Sequence, residues 1–125
     1  MMNSTFFLAG SIIVLVWGIA HLVPTKSVVK GFGEISRDNK RIITMEWLAE
    51  SVALCFIGLL GLLVTIYGDP ASFTAAIVYR ASGGSLIAIA VVAGLTGART
   101  SIIPIKICPV IVSIAAALFL AGSVS

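Results

Sequence analysis

The stretch IITMEWLAESVALCFIGLLGLLVTIYGDP (residues 42–70) decides the fold. From Ile42 to Tyr67 it is almost wholly apolar, and longer than the roughly 20 residues an α-helix needs to cross a hydrocarbon core. Gly68 ends a helix, Asp69 suits the cap of the next and Pro70 a first helical position, so a tight turn separates this run from a second one. Yet Glu46 and Glu50 sit one helical turn apart in its first third. At about 100° per residue they share a face with Ala53, Ile57 and Gly61, and that face cannot point at lipid.

Three more apolar runs surround this one, at Phe6 to Val23, Ala71 to Leu95 and Ile102 to Ala121. The chain of 125 residues is 59% hydrophobic and 10% charged, against roughly 45–50% and about 25% for soluble domains. In lipid each backbone amide must be bonded within its own segment, so the runs are helices. The expectation is an all-α integral membrane protein, a single four-transmembrane-helix bundle with spans at about 6–23, 42–67, 71–95 and 102–121. No basic segment precedes the first run, which therefore reads as a retained span and not a signal peptide.

Charge supplies the orientation. Lys26, Lys30, Arg37, Lys40 and Arg41 fall in the loop 24–41, and Arg99 and Lys106 flank the start of the last run. The middle turn carries only Asp69. The positive-inside rule makes the basic loop 24–41 cytoplasmic and turns both termini away from the cytoplasm, as in a multi-pass protein of a cell membrane, read here as a bacterial inner membrane. The net charge of +3 therefore reports topology, and no nucleic-acid partner is expected, because a binding groove with interleaved stacking aromatics is missing.

Packing expectations follow. Val28, Phe32 and Ile35 recur at helical spacing among lysines, as a short surface-lying turn requires, although Gly31 and Gly33 weaken it. Helix three, with Ala81, Gly83, Gly84, Ser85 and Ala88, reads as the central packing partner, and the tight turn at 68–70 makes helices two and three antiparallel neighbours. Pro104 and Pro109 predict a kink in helix four. Cys55 and Cys108 lack the spacing of a zinc or redox pair and read as small buried hydrophobes.

An ionisable side chain inside a membrane costs about 2.5–3.5 kcal/mol on insertion scales, which makes Glu50, the deeper acid, the sharper functional candidate. Glu46 is shallow enough to reach interfacial water. Arg80, the one basic residue outside the cytoplasmic band, is expected to turn inward and pair with Glu50 across an axial offset of about 10 Å. Tyr79 beside it is placed to donate a hydrogen bond into the same pocket. His21, near the cytoplasmic end of helix one, either shares a proton with a glutamate or bonds a backbone carbonyl. One histidine and two glutamates fall short of a membrane di-metal ligand set, so no metal is expected. Trp17, Trp47 and Tyr67 fit interfacial anchoring.

The segment GIAHLVPTK (18–26), closing a first span, is followed by a long loop and then by MEWLAESVALCFIGLLGLL (45–63), a second span with an acid ahead of small and branched residues. In this organisation the chain resembles the DoxX-like superfamily of small four-helix membrane proteins. The resemblance implies a four-helix bundle acting as a membrane subunit or accessory protein, sometimes with quinone-linked redox systems, and assigns Glu46 or Glu50 to the second-span acid. The stretch GFGEISRDNKRIITMEW (31–47) departs from that pattern.

No nucleophile–base pair and no phosphate-cradling glycine loop is evident. The leading functional expectation is a non-enzymatic accessory or binding module. In that reading a polar intramembrane pocket takes a quinone, another lipid-like molecule or a partner helix, with a membrane-protein partner or a second copy as companion. A small proton-coupled transporter using Glu50 is the second reading, although four-helix multidrug exporters carry their acid in the first helix, which has none here. A membrane enzyme using Glu50 or Glu46 with His21 as acid and base on a lipid-like substrate is the third.

Overall fold

Helices begin where the sequence supplies an acceptor for orphan amides. Asn3 Oδ1 accepts from the Thr5 amide at 3.1 Å, Ser36 Oγ from Asn39 at 3.1 Å and Ser72 Oγ from Ala75 at 3.1 Å. The protein, seen in a computed structural model that describes residues 2–124, is built from five helices among those residues: α1 (Ser4–Leu22), α2 (Thr25–Lys30), α3 (Arg37–Tyr67), α4 (Phe73–Leu95) and α5 (Ile103–Val124). A single 3₁₀ turn at Gly97–Arg99 joins the last two. The chain is an all-α four-helix bundle, and α1, α3, α4 and α5 are each long and apolar enough to cross a membrane.

The helix boundaries depart from the sequence reading by one to three residues at α1, α4 and α5 and by more at the start of α3. Helix α3 starts at Arg37, capped by Ser36 and carrying Asp38 in its first turn, so it extends five residues ahead of the apolar run. Its 31 residues rise about 46 Å, well beyond a hydrocarbon core of about 30 Å. Measured from Tyr67, that core ends near Trp47. Helix α4 is capped by Ser72 and not by Asp69, whose carboxylate instead accepts from the Ala71 amide within the turn. Helix α2 ends at Lys30 and buries Val29, whereas Phe32 of the expected surface-lying turn is beyond the helix and exposed. Pro104 occupies the first turn of α5, where its missing N–H is harmless, whereas Pro109 stands inside the helix.

The packing order also corrects the expectation. Helices α1 and α3 pack along much of their length, as do α4 and α5, and α1 joins the two pairs through α5. Helices α3 and α4, although joined by a tight turn, touch only sparsely. The centre of the bundle is therefore α1 against α3 and α5, not α4.

Close approach of α1 and α3 rests on absent side chains. A Cβ at Gly58 would lie 2.7 Å from the Leu15 amide nitrogen and 2.8 Å from the Ser11 carbonyl oxygen, and one at Gly61 would strike the Ser11 hydroxyl. In lipid, where apolar helices gain nothing by leaving solvent, such backbone proximity supplies the dispersion that holds them together.

At the end of the bundle near the 68–72 turn, buried Tyr79 stacks on Phe7 with centroids 3.5 Å apart and leans on Phe119 at 6.1 Å. Its hydroxyl shares a 2.8 Å hydrogen bond with Thr65. This is the tie between α3 and α4. From it the two helices diverge toward the basic end of the bundle.

Candidate functional site

The divergence of α3 and α4 opens a groove, and the glutamates face it. A cavity of about 900 Å³ is walled by Glu46, Trp47, Glu50 and Ala53 of α3, Val28 and Phe32 of the first loop, Ile89 of α4, and Ile102 and Ile105. A second of about 510 Å³ adjoins it under His21, Val92, Ala93, Thr96 and Cys108. Trp47, Glu50, Ile89 and Ile105 line both. The walls are otherwise hydrocarbon, with a few convergent polar groups, the usual make-up of a small-molecule site.

Trp47 organises the polar end. Its indole N–H donates to the His21 carbonyl at 2.8 Å, one of the carbonyls left over at the end of α1. Its ring lies against the His21 imidazole with centroids 3.9 Å apart and planes 14° from parallel. The stack holds the imidazole toward α3, where Nε2 stands 3.4 Å from Glu50 Oε2. That separation gives electrostatic contact without hydrogen-bond geometry, and His21 Nε2 is buried with no hydrogen-bond partner. The imidazole side chain is 7% exposed and the Glu50 side chain 37%. Glu46, one turn nearer the start of α3, is exposed at the groove's mouth.

The sequence candidates thus divide. His21, Glu46 and Glu50 come together. Arg80 does not join them: its guanidinium donates to the Ser123 carbonyl at 3.3 Å, near the end of α5. The Thr65–Tyr79 bond fixes the register between α3 and α4, so Arg80 lies level with Thr65, fifteen residues from Glu50. The axial offset is about 22 Å, which two side chains cannot bridge. Tyr79 likewise serves the core and lines neither cavity.

Sequence reasoning missed Trp47 as a site residue and treated it as an interfacial anchor. The signal was present, since Trp47 precedes Glu50 by three positions and so shares its face. Trp17 is also tied within the protein, its N–H directed at Cys108 Sγ at 3.4 Å. No group of three His, Cys, Asp or Glu side chains among the described residues is arranged to hold a metal ion.

Arg80→Met is expected to cost less than about 1 kcal/mol of stability, the scale of a membrane hydrogen bond, and to leave groove occupancy unchanged. Unfolding in mixed micelles together with native mass spectrometry of the variant checks both. Set beside known proteins, the chain matches no family model, no curated protein and no solved structure, so its site must be read from its own geometry.

Proposed function

We propose that the protein is a non-enzymatic binding module that holds a small amphipathic molecule in the groove between α3 and α4. The observation that carries this reading is the groove itself. It is an apolar slot, open along one side of the bundle, whose polar groups gather at the basic end around Glu50, His21 and Glu46. An elongated ligand would lay its body against Ala53, Ile89 and Ile105 and its head at Glu50. The basic loop 24–41 would face the cytoplasm, with both termini on the other side. An accessory role beside a membrane partner, as the DoxX-like resemblance implies, fits a chain that offers a site without a reactive constellation.

The contact between His21 and Glu50 favours one other reading, a transporter in which that pair takes up and releases a proton as substrate passes through the groove. Native mass spectrometry of the protein gently extracted from its membrane separates the two. The binding reading predicts a monomer or hetero-complex carrying one discrete extra mass, lost in Glu50→Gln, an isosteric change that removes the charge. A ligand-free homodimer would overturn it and move transport forward, with proton flux as the next assay.

A further inference from the structure

We infer that the groove's ligand is an amphipathic cation whose protonated amine sits between Glu50 and His21. The inference rests on the reading of the groove as an amphiphile site and adds the charge and hydrogen-bonding character of the head group. Among the described residues lining the two cavities, Glu46 and Glu50 are acidic, His21 is the one imidazole, and no lysine or arginine is present. The basic side chains of the loop 24–41, Lys106 and Arg99, which stands between the lining residues Gly97 and Thr100, lie outside both linings. The cation expected from the sequence to neutralise Glu50, Arg80, is committed to Ser123 at the far end of the bundle. The acids therefore stand in a largely apolar slot with no fixed countercharge in its walls.

Backbone fields do not cancel the charge of the two acids. Helices α1 and α4 both end at the groove, at Leu22 and Leu95, and present the partial negative charge of their last carbonyls. Helices α3 and α5 begin at the same end with the opposite polarity, each terminus carrying about half an elementary charge. The helix ends offset one another and leave the two carboxylates as the dominant charge of the groove.

The independent observation is His21. Its Nε2 is buried, lacks a hydrogen-bond partner and faces the cavity beside Glu50, held there by the Trp47 stack. A neutral imidazole accepts at a bare nitrogen, and an ionised carboxylate only accepts. A group that satisfies both at once must bring at least two hydrogen-bond donors, and a carboxylate with no fixed countercharge favours one that also carries positive charge. A primary or secondary ammonium does so. A ketone, ether or quinone carbonyl brings acceptors alone, and a phosphate or sulfate brings negative charge as well.

The test uses the full chain in nanodiscs of neutral lipid and three probes with one hydrocarbon tail, dodecylamine, dodecanol and dodecyl sulfate, scored by native mass spectrometry at matched free concentration. The wild type is expected to retain one dodecylamine at least tenfold more tightly than dodecanol and to reject the sulfate. Glu50→Gln should erase most of that tenfold preference. Dodecanol retained as well as dodecylamine by the wild type, and displaced when the groove is filled by Ala53→Trp with Ile89→Trp, would overturn the cationic head group and leave the amphiphile site standing. A preference for the sulfate would overturn it as well. Retention of all three probes unaffected by filling the groove would remove the site and the inference together. The comparison of probes on the wild type needs no variant to fold.

Discussion

Gly58→Leu is expected to prevent α1 and α3 from docking and to remove most of the protein's cooperative unfolding in mixed micelles. Where Gly58 meets α1, a side chain would press on the Leu15 amide at 2.7 Å and on the Ser11 carbonyl at 2.8 Å. Neither can swing aside as a side-chain tip would. Overpacking of a well-packed interior costs typically about 1–3 kcal/mol, and an obstacle made of backbone belongs at or above the upper end of that range. Helix α1 also carries His21, so separating it from α3 dissolves the stack on Trp47 and the site with it. Gly84→Leu is the control, because a Cβ there meets nothing within 4 Å and a leucine in its place should fold as the wild type does. Equal stability of the two variants, measured by circular dichroism during detergent titration, would refute the role given to backbone contact at Gly58.

Filling the groove should have the largest effect on function. Ala53 and Ile89 stand on its opposite walls, one on α3 and one on α4; Ala53 lies outside the buried core cluster and Ile89 packs against its edge, partly buried. Tryptophan at both positions occupies the slot beside Glu50 while leaving Gly58, the Phe7–Tyr79 stack and the Trp47–His21 stack in place. The expected outcome is at least a tenfold loss of any mass retained by the wild type after extraction, with secondary structure and detergent resistance preserved. A ligand still present at full occupancy in the double variant would show that it binds elsewhere on the bundle.

Much of this architecture was legible in the residues, and the rest was hidden for definable reasons. The four spans follow from hydropathy because lipid leaves the backbone no choice but helix. The inward turn of Glu46 and Glu50 follows from periodicity. The start of α3 was hidden because Arg37, Asp38, Lys40 and Arg41 depress hydropathy, although Arg and Lys are good helix formers and Asp38 suits the first turn behind the Ser36 cap. Partnership between helices was the weakest inference. A short turn guarantees that α3 and α4 begin side by side, but not that they stay so, and the contacts at Gly58 and Gly61 draw α3 toward α1 instead. Register decided the fate of Arg80, since only the Thr65–Tyr79 bond reveals how far along α4 the level of Glu50 lies.

The wedge between α3 and α4 is closed at its apex by Thr65 and Tyr79 and open only at the basic end. A bilayer is two monolayers, and with these four helices across it the opening would give onto one of them. A molecule dissolved in the apposed monolayer would meet the aromatic closure at Thr65 and Tyr79, whereas one in the other monolayer would slide in sideways without passing through water. Occupancy would then record the composition of a single lipid face. The protein would distinguish the same compound by the side on which it resides, a sidedness created by the place where two neighbouring helices part company.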